Sequence, residues 1–271
     1  MSFSPIISIA ELIDLKEYLL IDASNSKDAF AQYSESHLEN AIFVDLNSQL
    51  AEIDEDLSKG GRHPLPPLSK FSAVLGKLGI TSNSHVIVYD KSYGANAAAR
   101  FWWMLKSIGH EKVQVLNGGF QEAVKARFPS QSRKTDYKSL QNYPLSQWKL
   151  PISDIKTVRK ASVDSNFLII DVRENDRYSG INEPIDLIAG HIPGAINIPF
   201  KENLDENGLF LTSDELRRKY NTLFENQKTL NIIVHCGSGV TACHTLLAMS
   251  IAGFEIPNLY VGSWSEWSRN N

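Results

Sequence analysis

Short apolar runs rich in β-branched residues recur along the chain, and each closes on a polar or glycine position. Leu19-Leu20-Ile21-Asp22, Val86-Ile87-Val88-Tyr89-Asp90, Leu168-Ile169-Ile170-Asp171 and Ile232-Ile233-Val234-His235-Cys236 are of this kind. Continuous rather than alternating hydrophobicity over so few residues predicts strands buried on both faces. Between them, apolar residues fall at helical spacing. Residues 8–18 predict an amphipathic helix, with Ser8 as cap and Glu11 three residues on. Residues 69–78 and 97–108 predict two more, and Ala242 to Met249 predicts a helix directly after the glycine-bearing turn that follows Cys236. Strand and helix in alternation predict an α/β fold, with mostly parallel sheets flanked by helices.

The pattern also repeats. Leu19 to Asp22 matches Leu168 to Asp171, His37 to Ile42 matches His191 to Ile196, His85 to Asp90 matches Asn231 to Cys236, and Val115 to Gly119 matches Leu259 to Ser263. A single long period, near 150 residues, means two similar domains rather than a solenoid. The expected division is 1–130 for the first domain, 131–150 for a polar linker and 151–271 for the second. Asp90 takes the position in the first half that Cys236 takes in the second, so the first domain is expected to be catalytically inactive.

Composition changes the picture mainly by exclusion. With 27 basic and 31 acidic residues the net charge is −4, which gives no reason to expect nucleic acid or an anionic membrane as partner. No apolar run approaches the ~20 residues that span a bilayer. The N-terminal residues lack a basic and apolar leader, so a cytoplasmic location is expected. Two cysteines, Cys236 and Cys243, make no disulfide framework. Seven positions of helix separate them by ~10 Å, too far for an unstrained bridge. Neither metal-ligand spacing nor a phosphate loop of the Gly-Lys-Ser/Thr type is present, and no cofactor is expected.

Cys236 is the residue with chemistry. A thiol at a strand end, before a glycine-bearing turn and a helix N-terminus, faces backbone N–H groups and the positive end of the helix dipole. Ionisation there should come more easily than at the ~8.5 of a free cysteine. Cysteine phosphatases use such a turn with an arginine six residues after the cysteine. Here that residue is Ala242, and no arginine occurs from Cys236 to Ala252. A cradle centred on one sulfur suits a persulfide, held by the amides of Gly237, Ser238, Gly239, Val240 and Thr241.

Cys236-Gly237-Ser238-Gly239-Val240-Thr241 resembles the active-site loop of the mercaptopyruvate branch of the rhodanese family. Asp171-Val172-Arg173, Gly190-His191-Ile192-Pro193-Gly194-Ala195 and Gly262-Ser263-Trp264-Ser265-Glu266-Trp267 also match family patterns, so the resemblance covers nearly the whole chain. It implies two tandem rhodanese-like domains with an active site in the cleft between them. It implies a sulfurtransferase that takes sulfur from 3-mercaptopyruvate onto Cys236 and passes it to a thiol such as thioredoxin, or to cyanide. Thiosulfate is the alternative donor, and a persulfide carrier or sensor without turnover is the alternative role. A monomer is expected.

The resemblance also assigns residues. Arg177 matches the arginine that holds the substrate carboxylate. His63, in Gly60-Gly61-Arg62-His63-Pro64, matches a histidine that reaches from the first domain toward the loop serine, here Ser238. Asn47 falls where the family has the aspartate of that Ser-His-Asp relay. Arg62 is a second candidate anion contact. The family pattern has a further arginine shortly after a Glu-Pro pair, whereas Ile185 follows Glu183-Pro184, so one cationic contact is expected to be absent. Arg173 is expected to be a structural partner of neighbouring backbone or of Asp171, His191 to belong to a turn, and His235 and Cys243 to pack in the core.

Overall fold

The computed structural model describes residues 3–224 and 231–271. It divides into two compact units: Met1–Glu52 with Pro66–Lys149 and Asn207–Leu209, and Ile53–Leu65 with Leu150–Glu206 and Phe210–Asn271.

In the first unit the chain runs β1 (Ile6–Ile7), α1 (Ile9–Asp14), β2 (Leu19–Asp22), α2 (Ala29–Glu35), β3 (His37–Leu38), β4 (Ile42–Phe43), α3 (Leu46–Gln49), α4 (Leu68–Lys77), β5 (Val86–Tyr89), α5 (Ala97–Ser107), β6 (Val113–Leu116), α6 (Gly119–Lys125) and β7 (Ser130–Gln131). The second unit has β8 (Ile152–Ser153), α7 (Ile155–Ala161), β9 (Phe167–Asp171), α8 (Asn175–Tyr178), β10 (Ile196–Asn197), a short 3₁₀ turn (Phe200–Asn203), α9 (Ser213–Phe224), β11 (Asn231–His235), α10 (Ala242–Ile251), β12 (Asn258–Tyr260) and α11 (Ser263–Asn270).

Each unit is built on one five-stranded sheet, ordered β1-β6-β5-β2-β4 in the first and β8-β12-β11-β9-β10 in the second. All their pairings are parallel. Taken strand for strand, the two orders are the same, which is the repeat seen in the sequence. The continuous apolar runs fill the middle positions: β5 is buried throughout, and β11 is buried over its last three residues. Leu20, Ile87, Tyr89 and Leu116 join one core, and Ile169, Ile233, Tyr260 and Trp264 join the other. Burying an aliphatic side chain of this size contributes ~1.5–3 kcal/mol.

The expected helices form with shifted ends. Ser8 caps α1 in a reciprocal capping box with Glu11, yet the helix stops at Asp14 instead of reaching residue 18. Leu15 is already extended, because the chain must straighten to enter β2 at Leu19.

Two boundaries also differ from the expected division. The stretch 131–150, expected as a polar linker, is tied to the first unit up to Lys149. Gln131 pairs with His37, Thr135 Oγ1 donates to Ala41 O, and Leu140 N–H donates to Gly76 O. Trp148 stacks on Trp103, so polar composition here marks a surface strap rather than a free connection. Residues 53–65, counted with the first domain by position, pack with the second unit. Gly60 N–H donates to Glu266 Oε1, and Asn270 Nδ2 donates to Ser58 O. Gly61 allows this: its φ is +75°, and a Cβ there would lie 2.4 Å from Gly262 O.

Candidate active site

The site is built on the second sheet. Cys236 follows β11, which lies between β9 and β12, and α10 begins at Ala242. Strand and helix thus fix the two ends of a five-residue turn at the carboxyl edge of the sheet. Gly239 makes the turn possible, with φ +71° and no room for a Cβ, which would fall 2.5 Å from Val261 O. The start of α11 clamps the turn from the other side. Cys236 N–H donates to Ser263 Oγ (3.2 Å), Trp264 N–H donates to Cys236 O (3.0 Å), and Ser265 N–H donates to Gly237 O (2.9 Å). Ser263 holds a left-handed φ of 54° to do so, an uncommon conformation for a residue with a side chain.

Cys236 is 2% exposed and Ser238 6%. Among the described residues, no protein group accepts from the amides of Gly237, Ser238, Val240 or Thr241. Buried amides rarely stay unpaired, and at a helix N-terminus they favour a negative charge beside them.

Guanidinium groups stand over this turn. A Cβ on Gly237 would lie 2.9 Å from Arg62 Nη2 and 3.4 Å from both Nη1 and Nη2 of Arg177. Arg177 gives Nε and Nη2 to Glu183, and Nη2 also reaches Asp186 Oδ2 at 3.3 Å. Arg62 gives Nη1 to Asp186 Oδ1. One terminal nitrogen of each, Arg177 Nη1 and Arg62 Nη2, has no hydrogen-bond partner among the described residues. Ile185, where the family pattern has an arginine, is 55% exposed. Arg62 supplies a second guanidinium instead.

His63 comes to the same turn, with Nδ1 2.8 Å from Ser238 Oγ. It arrives on the 53–65 segment, as part of the second unit rather than from the first. Asn47 lies on α3 of the first unit. Arg173 pairs with Asp171 through Nε and Nη2 and donates to Gly190 O, a structural tie. His191 Nδ1 meets Tyr178 O at 2.9 Å within its turn. His235 is fully buried with Nδ1 3.1 Å from Cys236 O, and burial lowers its pKa. Cys243 is buried, its Sγ 3.4 Å from Gly239 O.

Asp186, Arg269 and Ser263 complete the site, and sequence reasoning passed over all three. Asp186 stands beside the flagged Ile185, but a carboxylate near an expected anion site carried no signal. Arg269 is joined to the site only through the fold of α11. Ser263 was legible as part of a motif, but not its bond to Cys236.

The first unit has the matching turn after β5. There Asp90 Oδ1 accepts from the amides of Ser92 (2.8 Å) and Gly94 (2.9 Å), and Oδ2 accepts from those of Asn96 (3.0 Å) and Ala98 (3.1 Å). Burial raises the Asp90 pKa, and these four amides oppose the rise.

Comparison with known proteins agrees with this architecture. The rhodanese-like domain model matches residues 8–126 and again 154–270. The chain is 37% identical over 243 residues to a probable 3-mercaptopyruvate sulfurtransferase of Pseudomonas aeruginosa, covering 87% of this chain and 82% of that protein. It is 34% identical over 266 residues to the thiosulfate sulfurtransferase of Rattus norvegicus, covering 92% and 84%. The solved 3-mercaptopyruvate sulfurtransferase from Leishmania major superposes with a TM-score of 0.85 at 29% identity, covering 99% of this chain and 75% of that one. A paired α/β scaffold with a cysteine turn at the edge of its second sheet is the class these features define. The chain belongs to the rhodanese-like family. Among the described residues, no helix is long and apolar enough to cross a membrane.

Proposed function

We propose that this protein is a sulfurtransferase that moves the sulfur of 3-mercaptopyruvate to a thiol acceptor through a persulfide on Cys236. The observation that carries the reading of an anionic sulfur donor is the pair of uncommitted guanidinium nitrogens, Arg62 Nη2 and Arg177 Nη1, beside Gly237. Two such nitrogens suit a carboxylate, and each charge-assisted bond contributes ~1.5–3 kcal/mol.

In this mechanism the Cys236 thiolate attacks the donor sulfur. The sulfur–carbon bond breaks, and its electron pair leaves as the enolate of pyruvate. The new persulfide gives up its proton, and the terminal sulfur anion is held by the amides of residues 237–241. The enolate carbon takes one proton, for which Ser238 and His63 form the relay. An acceptor thiol then bonds to the outer sulfur, the S–S bond breaks, and the Cys236 thiolate returns. The acceptor we propose is a small thiol or a dithiol protein of the thioredoxin type. The enzyme works as a monomer in a reducing cytoplasm, where a free thiol survives. The first domain takes no sulfur, because Asp90 stands in the cysteine position.

Thiosulfate is the second reading, favoured by the same two nitrogens, which would also hold a sulfur oxyanion. Steady-state kcat/KM for both donors, with intact-mass measurement after each, tests the proposal. We expect mercaptopyruvate to be preferred by at least tenfold and one sulfur atom to be gained on Cys236. A tenfold preference for thiosulfate would overturn the donor, and a mass gain elsewhere would overturn the nucleophile.

A further inference from the structure

We propose that Asp186 is a positioning residue that gives the cysteine turn its preference for carboxylate-bearing reactants, by holding Arg62 over Gly237. This rests on the reading of Cys236 as the reactive thiol, but not on the identity of the sulfur donor.

The Asp186 side chain is fully buried, and three guanidinium groups converge on it. Oδ1 takes Arg62 Nη1 and, at 3.2 Å, Arg269 Nη1; Oδ2 takes Arg177 Nη2 at 3.3 Å. The two oxygens of a carboxylate offer about four lone-pair sites, so one side chain can serve three donors. The three arginines do not depend on it equally. Arg177 is also held by Glu183, and Arg269 also donates to Ser265 O at 2.7 Å. Arg62 has no other ion pair among the described residues. Asp186 is itself fixed, because its N–H donates to Glu183 Oε1 (3.0 Å) and Trp264 Nε1 ties down the neighbouring Ile188 O (2.8 Å). The fork geometry matters here. Arg62 can give one terminal nitrogen to Asp186 and keep the other for a reactant, which a lysine cannot do.

Two effects of removing the Asp186 charge have opposite signs. The local field would become more positive, which favours anions. Arg62 would lose its anchor and face two other guanidinium groups unscreened, which drives it away from Gly237. We infer that the second effect wins, because a cation swung into solvent contributes little at the turn.

Alkylation of Cys236 by iodoacetate and by iodoacetamide separates these effects, since the two reagents differ by a carboxylate and neither requires a sulfur donor. Second-order rates are measured at fixed ionic strength in a Cys243→Ser background. We expect the iodoacetate-to-iodoacetamide rate ratio to fall about fivefold in Asp186→Asn and equally in Arg62→Ala, with no further fall in the double variant. The iodoacetamide rate reports the thiolate of each variant and divides it out of the ratio, and Asp186→Glu should recover most of the ratio. A ratio that rises or holds in Asp186→Asn, or singles that combine additively, overturns the proposal. Should Asp186→Asn not fold, Arg62→Lys carries the test: the same fall supports the proposal and an unchanged ratio overturns it. A Cys236 silent to both reagents would overturn this proposal and the proposed function together, whereas an unchanged ratio at a reactive Cys236 overturns only the role of Asp186.

Discussion

Asp90 and Cys236 end equivalent strands in sheets of the same order, and each is followed by a turn into a helix. The turns differ in what their amides bind. In the first, four N–H groups close on the Asp90 carboxylate, and the turn is satisfied from within. In the second, a thiol cannot accept so many bonds, and four amides are left without a protein acceptor among the described residues. A strand-to-helix turn thus serves as structure when its own residue supplies the anion, and keeps its amides open when it does not. The turns also differ in length, six residues from Lys91 to Asn96 against five from Gly237 to Thr241, and only the second is set against two arginines and a histidine.

The sharpest way to break this contrast is to remove the sulfur. Cys236→Ser should lower sulfur transfer by at least ~10³-fold, while Cys243→Ser keeps most of it, measured as pyruvate release. The reverse ranking would move the reactive site. Next comes the proton relay. Ser238→Ala and His63→Ala should each lower kcat with mercaptopyruvate by ~10²-fold. Each should leave cyanide attack on a preformed persulfide nearly unchanged, since no carbon is protonated in that half-reaction. Equal losses in both half-reactions would mean that the pair only shapes the turn.

The first unit is probed through stability. Asp90→Asn leaves two amides facing a group that cannot accept, and should cost about 2–4 kcal/mol in urea unfolding with sulfur transfer per folded molecule unchanged. A neutral result would mean that the turn does not need its anion.

The smallest effect is one of pH. Eight residues beyond Asp90 stands Ala98, and eight beyond Cys236 stands His244, stacked on Phe210 with neither ring nitrogen hydrogen-bonded among the described residues. Burial lowers its pKa from 6.5 to about 3. The folded state therefore binds fewer protons than the unfolded state between these values. The stability it contributes is fully present above pH 6.5 and is lost as pH falls toward 3. Roughly 2 kcal/mol should disappear between pH 6.5 and 5 and be retained in His244→Leu, as read from urea midpoints.

Much of this is legible in the sequence. Runs such as Ile232 to Val234 announced buried strands, and the repeat announced two sheets of one design. Cys236, Ser238 and Arg177 were visible as residue types placed at a strand-to-helix junction or in a matching pattern. What escaped was set by contacts far apart in sequence. Nothing local tells that 53–65 packs with 150–271, because that depends on Gly61 passing close to Gly262. Nor does any spacing show that Asp186, 124 residues from Arg62, is the group that anchors it. Nor does the polar composition of 131–150 show that Tyr143 is buried there.

The path of residues 53–65 has a practical outcome for anyone dissecting this protein. Severing the polypeptide after Lys149 would not yield one inert half and one working half. The carboxyl-terminal fragment would keep its thiol but forfeit both Arg62 and His63, which travel with the other piece. A genuine minimal enzyme would need that thirteen-residue excursion grafted back.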